Sequence, residues 1–224
     1  MTTREKIMGR IRAALQVPAL RPGLHGEVPQ IPAGSEVQKW LPPGGESFVD
    51  QPKHFRLRAA ELTADFQMFD SVDEVKLALA KIANTEQWQR IATHRGELTE
   101  TVVNELGLPV LTTTVGYDVS ELEACGAGIT ECDALIAQTG SLIVTSRDAG
   151  GRALSVLPPH HVVLARRGQI VRDLSAGFAL VQKKYAPKYP SMISVVTGPS
   201  RTGDIERILV LGAHGPKKLT ILCY

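Results

Sequence analysis

The sequence predicts an α/β fold in which a mainly parallel β-sheet is layered between helices. Short, nearly continuous apolar runs such as MISVVTG and KLTILCY are typical of strands that are buried on both faces. Helical patterns alternate with these runs along the chain, and this alternation indicates a layered α/β domain. The chain has 224 residues, of which 43% are hydrophobic and 21% charged, so it can bury a sizeable core.

Three segments are predicted, and the first two precede the domain. Residues 1–17 form a basic amphipathic helix, because Ile7, Ile11 and Leu15 recur at i, i+4 and i+8. We expect such a helix to dock on its own domain or on a twin subunit, and contact with a membrane surface or a partner protein is the alternative. Its Arg-rich, acid-poor composition also resembles that of a transit peptide. Residues 18–53 carry half of the chain's 14 prolines and show no helix or strand period, which predicts an extended arm or linker.

The α/β domain is predicted over residues 54–224. Helices are expected over 54–69, 71–83 and 96–107, the second with a capping box of Ser71 and Glu74, and short strands over RIATH and LPVLTTT. GITECDALIAQTGSLIVTS and HHVVLARRGQIV each predict two strands, and DLSAGFALVQKKYA predicts a helix. We expect GSLIVTS, HHVVLA, MISVVTG and KLTILCY to be strands of one mainly parallel sheet.

Composition excludes several classes of partner. A net charge of +2 and 5% aromatic residues argue against a nucleic-acid partner. The sequence contains no apolar run of the roughly 20 residues that span a bilayer, and the N-terminus lacks a secretory pattern, so we expect a cytoplasmic protein. Cys125, Cys132 and Cys223 form neither a disulfide framework nor, with His160 and His161, a recognised zinc spacing, so no metal is expected.

The loop TGPSRTGDIE has the glycine spacing of a phosphate-binding P-loop but lacks its Lys-Ser/Thr pair. Asp204 and Ile205 stand there instead, which excludes nucleotide hydrolysis through this loop. Two interpretations stay open: a simple capped helix start, or a helix N-terminus at 200–203 whose N–H groups bind an anion beside Arg201. The candidate ligand-binding residues are Gly198, Ser200, Arg201, Thr202 and Asp204.

Two more glycine-containing loops and one histidine complete the candidate site. AQTGS supplies Thr139, Gly140 and Ser141, SRDAGGRALS supplies Arg152, and GAHGP supplies His214, either as an acid/base or ligand-binding group or as a structural hydrogen-bonding group. Ligands of α/β sheets bind beyond strand ends, where loops collect. We therefore expect these loops to share one cleft for a small anionic metabolite.

Four motifs in order, GITECDALIAQTGSLIVTS, GRALSVLPPHHVVL, TGPSRTGDIE and GAHGP, resemble the LUD-domain family and within it the lactate-utilisation protein C group. The resemblance covers roughly residues 55–224. It implies a three-layer Rossmann-like fold of the NagB/ribose-5-phosphate isomerase/CoA-transferase type. It also implies a role in oxidising L-lactate to pyruvate beside partner subunits that carry iron–sulfur clusters. This chain has no cluster-binding cysteine run, so we expect no cofactor in it.

One position departs from the family pattern. Gln138 stands where the family commonly has an acidic residue, and Glu131 is the carboxylate that remains nearby in sequence. Three hypotheses follow: an accessory, small-anion-binding component of a lactate-oxidising system; an enzyme of the isomerase or CoA-transferase kind using Glu131 or His214; or a module that senses an organic acid. Association into homo-oligomers is compatible with each.

Overall fold

The computed structural model describes residues 2–16, 41–147, 153–202, 210–212 and 214–224. The chain divides into two compact units, Met1–Leu41 and Pro42–Tyr224. The first contains helix α1 (Thr3–Gln16), which carries the basic amphipathic pattern. The second begins at Pro42, inside the segment predicted as an arm, and contains every other helix and strand of the described residues.

The larger unit is built on a six-stranded sheet in which every neighbouring pair is parallel. Its strands, in spatial order, are β1 (Asp65–Met68), β12 (Lys218–Cys223), β7 (His160–Ala165), β4 (Ala127–Glu131), β2 (Ile91–Thr93) and β3 (Val110–Thr112). This central sheet confirms the predicted α/β class.

Among the described residues, five α-helices accompany the sheets: α2 (Gln51–Glu61), α3 (Val72–Thr85), α4 (Glu97–Val103), α5 (Val119–Glu123) and α6 (Leu174–Tyr185). One half of the predicted capping box of α3 is present, since Ser71 Oγ accepts the Glu74 N–H at 3.3 Å, whereas the Glu74 carboxylate accepts the Asp70 N–H and not that of Ser71. Asp173 caps α6 by accepting the Ala176 N–H at 2.9 Å.

The helix predicted over 54–69 is wrong beyond Glu61, where α2 ends. Thr63 has a positive φ of 60°, which turns the chain, and the next residues pair with β12 as strand β1. The apolar residues at the end of the segment follow strand alternation, with Phe66 buried next to exposed Asp65. The apolar spacing of this short segment fits both the helix period and the strand period, and pairing with β12 selects the strand.

The expectation of a single parallel sheet is also wrong. A second sheet contains, in order, β8 (Ile170–Val171), β5 (Ala134–Ile136), β6 (Ser141–Thr145) and β9 (Ile193–Val196), and β6 is antiparallel to both of its neighbours. Residues 137–140 join β5 to β6, a connection too short for the crossover that parallel strands need. β10 (Arg201–Thr202) and β11 (Val210–Leu211) form a separate antiparallel pair.

Side-chain alternation assigns the layers. In β7, Val163 and Ala165 face a core shared with α2 and the second sheet, whereas Val162 and Leu164 face a core shared with α3 and α4. In β6, Ile143 faces α6, and the residues on either side of it face the parallel sheet. The described layers are therefore α3 and α4, the parallel sheet, the second sheet and α6.

Two buried histidines at the start of β7 bond to neighbouring strands. His160 Nε2 lies 2.9 Å from Thr220 Oγ1, and His161 Nε2 lies 2.9 Å from Thr130 Oγ1. Burial lowers the pKa of His160 to about 4 and the pKa of His161 to about 3. Both rings are therefore neutral parts of the fold at neutral pH.

These depressed values predict a pH-dependent stability. Between pH 6.5 and about 4 the unfolded chain binds protons that the folded chain does not, so the free energy of unfolding falls as the pH drops. It is at its full value above pH 6.5, and the limiting slope is about 1.4 kcal/mol per pH unit for each histidine. Urea unfolding from neutral pH downward measures this slope. His161→Gln should remove about half of it, and an unchanged slope would contradict the burial of this ring.

Candidate functional site

Polar residues follow three neighbouring strands where those strands end. His94 and Arg95 follow β2, Glu131 ends β4, and Arg166 follows β7. The parallel register brings these positions to one side of the sheet, which is the side where ligands of α/β proteins bind. We call residues 94–96, Glu131 and Arg166 the carboxyl edge.

Glu131 caps helix α4 from the neighbouring strand. Its Oε1 accepts the N–H groups of Leu98 at 2.9 Å and Thr99 at 3.2 Å, in the first turn of the helix. Gly96, at the N-cap, has no side chain to do this. A Cβ at Gly96 would also collide with Glu131 Oε1, so the absence of a side chain at Gly96 leaves the space that the carboxylate occupies.

His94 is buried and links the ends of β2 and β4. Its Nε2 accepts the backbone N–H of Glu131 at 3.2 Å, and its Nδ1 lies 3.1 Å from the Arg95 carbonyl. A neutral ring with the proton on Nδ1 satisfies both bonds, and we assign that tautomer from the network. Thr99 Oγ1 donates to the His94 carbonyl at 3.1 Å. His94 therefore holds the strand ends and α4 together.

The two arginines of the carboxyl edge differ in their partners. Arg166 pairs with Glu97 Oε1 at 2.9 Å. Arg95 is exposed, and within the described ranges no carboxylate lies in ion-pair distance of it. Its backbone N–H donates to Thr114 Oγ1 at 2.8 Å. Arg95 is thus a cation of this edge that is open to an external anion.

The loop 139–141 and Gly198 meet at the C-terminal end of α2. Ser141 Oγ lies 2.8 Å from Thr197 Oγ1. Gly140 and Gly198 have φ of +66° and +77°, and a Cβ on either would come within about 3 Å of the α2 end, at the Ala59 N or the Leu62 carbonyl. The Thr139 hydroxyl is buried without a hydrogen-bond partner. These residues are packed against their own chain.

The loop that begins the P-loop-like motif is also engaged by the chain. Arg201 donates to the Leu62 carbonyl and, at 2.9 Å, to Thr63 Oγ1, and the Ser200 N–H donates to the Pro216 carbonyl at 2.9 Å. Arg201 and Thr202 form β10, so a helix N-terminus is wrong for the described residues of this loop. Arg152, Gly203 and Asp204 lie outside the described residues.

Glu131 and His214 lie at opposite ends of the parallel strands. His214 is exposed and stands four residues before β12, whereas Glu131 is the last residue of β4. The six residues of β7 between those ends span roughly 20 Å. The two candidates therefore cannot serve one reacting centre as an acid/base pair.

The structure adds a buried polar cluster that the sequence did not suggest. Asp133 Oδ1 accepts from Lys184 Nζ at 2.7 Å and from Tyr185 Oη at 2.8 Å, and Thr145 Oγ1 lies 3.1 Å from the same Tyr185 oxygen. Burial raises the pKa of Tyr185 to about 12, which keeps its hydroxyl a donor. The only sequence signal is a Lys-Tyr pair ending a helix, which is ordinary for a helix C-terminus.

The described ranges contain neither a metal-binding cluster nor a membrane-spanning helix. There, no group of three or more His, Cys, Asp or Glu side chains could hold a metal ion. Burial raises the pKa of Cys132 well above its ordinary value and the pKa of Cys223 to about 12. None of the helices described is long and apolar enough to cross a bilayer.

Comparison with known proteins identifies the family. The LUD domain model matches residues 70–224. The chain belongs to the LUD domain family. This LUD-domain chain is 30% identical over 187 residues to lactate utilization protein C of Deinococcus radiodurans, a match that covers 79% of this chain and 86% of the relative.

Two more similarities agree with this membership. Lactate utilization protein C of Anoxybacillus flavithermus is 34% identical over 110 residues, which is 49% of each chain. The crystal structure of a DUF162 family protein from Deinococcus radiodurans superposes with a TM-score of 0.63 at 23% identity, covering 80% of this chain and 99% of that one. That structure shows the same fold, and the resemblance drawn from the four motifs is confirmed.

The capping role of Glu131 predicts a difference between two substitutions in this LUD domain. Glu131→Ala removes the acceptor of two α4 N–H groups and should lower the free energy of unfolding by about 1–2 kcal/mol. Glu131→Gln keeps an Oε1 acceptor and should cost less than half as much. Urea denaturation of both variants measures the difference. Equal losses would contradict the capping role.

The Asp133 cluster predicts a cost for removing one hydroxyl. Tyr185→Phe leaves a buried carboxylate with one donor fewer and should lower the free energy of unfolding by about 1–3 kcal/mol. Tyr189 is 49% exposed, so Tyr189→Phe is the matched control and should change stability by less than about 0.5 kcal/mol. Equal effects in urea denaturation would show that the Tyr185 hydroxyl contributes nothing to stability.

Proposed function

We propose that this LUD-domain protein takes part in cytoplasmic L-lactate utilisation, as an accessory subunit that binds a small organic anion and works with partner subunits carrying iron–sulfur clusters. The observation that carries the proposal is its similarity to a lactate utilization protein C over most of both chains. Lactate oxidation to pyruvate needs an electron acceptor, and clusters in partner subunits supply one.

The carboxyl edge supports the small-anion part of the proposal. Arg95 presents a planar guanidinium, whose geometry matches the two oxygens of a carboxylate. The Thr114 hydroxyl accepts the backbone N–H of Arg95, and it can in turn donate a hydrogen bond to an oxygen of the ligand. Lactate and pyruvate each carry one carboxylate beside one further oxygen, which suits one guanidinium and one hydroxyl.

The chemistry of the side chains supports an accessory role. Glu131 is committed to the N-terminus of α4, and His94 is committed to the backbone of Glu131. Cys132 and Cys223 are buried with raised pKa values, which disfavours the thiolate form that ligates iron. We therefore assign the electron-carrying clusters to the partners and the binding of the anion to this subunit.

Arg95→Ala tests the anion site. Calorimetry with lactate and with pyruvate should give a dissociation constant that rises about 10–100-fold in this variant, the loss expected of a charge-assisted contact. Arg90 precedes the opposite end of the same strand, so Arg90→Ala is the control and should bind as the unaltered protein does. Unchanged binding in Arg95→Ala would contradict the assignment. Weaker binding in Arg201→Ala alone would instead place the ligand at the loops with Thr139, Gly140, Ser141, Gly198 and His214.

A reconstitution assay tests the wider role. The partner subunits should reduce an electron acceptor in a lactate-dependent way faster with this subunit than without it, and they should co-purify with it. Metal analysis of this chain alone should find no iron. An equal rate with and without the subunit, or stoichiometric iron in it, would contradict the proposed role.

A further inference from the structure

Strand β1 ends the parallel sheet with an open side. Its partner is β12, and among the described residues no strand pairs with the other side of β1. The outward-directed N–H and C=O groups of such an edge strand are free to pair with another strand. Open edges of this kind are common contact surfaces between proteins.

Apolar grooves flank this edge on both faces of the sheet. Between α2 and β1 lies a groove of about 470 Å³ whose lining includes Leu57 and Met68. Between α3 and β1 lies a groove of about 530 Å³ whose lining includes Phe69, Leu77 and Ile82. Leu57 is 54% exposed and Leu77 is 72% exposed, so each helix presents a large apolar side chain beside the edge.

We propose that this surface joins two copies of the chain across a two-fold axis perpendicular to the sheet. β1 then pairs antiparallel with β1 of the second copy, and α2 and α3 each pack against the same helix of that copy. The surface is self-complementary, as an isologous contact requires.

The charges on α3 support a second copy as the occupant. Glu74 and Lys81 are seven residues apart, so they lie on the same helix face, and Leu77 and Ala78 lie midway between them. When α3 packs antiparallel against α3 of the second copy, with the two-fold axis at that midpoint, Glu74 lies opposite Lys81 of the second copy. Two opposite-charge pairs form, one on each side of the axis.

Neither of these two charges is satisfied by an ion pair within the chain as far as the structure describes it. Glu74 accepts the Asp70 N–H at 2.9 Å, which leaves its other oxygen for the second copy. The arginines on α2 are engaged within their own chain, since Arg58 pairs with Glu61 at 2.7 Å and Arg56 lies 5.9 Å from the Phe66 ring.

One axis can serve all three elements. α2 ends four residues before β1 and α3 begins four residues after it. At about 1.5 Å per helix residue and 3.3 Å per strand residue, Leu57, the middle of β1 and Leu77 all lie about 5–8 Å from the adjoining turns. The strand pair and both helix pairs can therefore be centred on the same line.

Sedimentation of the full chain over a range of concentrations tests the contact. The mass should be that of two copies of the 24.2 kDa chain. Leu77→Asp should shift the protein to monomer. Val119 is 54% exposed on α5, away from this edge, so Val119→Asp is the matched control and should stay dimeric. A monomer at every concentration, or a dimer that Leu77→Asp leaves intact, overturns the proposal.

A charge swap identifies the axis. Lys81→Glu brings two like-charge pairs together and should raise the dimer dissociation constant about tenfold or more. Adding Glu74→Lys restores opposite charges and should bring the constant back towards the unaltered value. Circular dichroism verifies that each variant is folded, because Glu74 also serves the α3 cap. A double variant as weak as Lys81→Glu overturns the two-fold arrangement.

Discussion

The passage of the chain from β4 to β5, at residues 131–133, is the constraint on which both sheets depend. Three successive side chains are fixed in three directions: Glu131 caps α4, Cys132 enters the core between the sheets, and Asp133 holds the end of α6. Only two residues separate β4 of the parallel sheet from β5 of the second sheet, so the connection is too short to adopt a different path. The position of α4 and the position of α6 are thus set by neighbouring residues of one short segment.

The polar residues of the molecule fall into two groups, one at the carboxyl edge and one around the end of α2. At the carboxyl edge, the carboxylate and the imidazole are used to hold strand ends, and a guanidinium is left facing outward at Arg95. Around the end of α2, the loops that contain Gly140 and Gly198 pack against the helix, and Arg201 donates a hydrogen bond to the Leu62 carbonyl at the end of the helix. The first arrangement leaves the Arg95 guanidinium exposed, whereas the second satisfies the charge of Arg201 with acceptors of the chain itself.

The sequence predicted the elements better than their arrangement. Runs such as KLTILCY identified buried strands, because burial on both faces removes polar residues from the run. The same pattern could not show that β6 and β9 form a second sheet, since it does not depend on which sheet or direction a strand adopts. At the site, Glu131 became a candidate because it is the carboxylate near Gln138 in the sequence, but its capping role depends on Gly96, 35 residues earlier. The Asp133 cluster joins residues about 50 apart, a relation that no local pattern carries.

Hydrogen–deuterium exchange of Asp133→Ala tests the central role of the 131–133 segment most directly. The substitution frees the end of α6 from β5 while leaving the parallel sheet and its helices in contact. Exchange should rise together in α6, β5 and β6, as one cooperative unit, while β7 and β12 keep their protection. Unchanged exchange in α6, or a rise spread evenly over both sheets, would contradict the claim that this segment fastens one layer to the other.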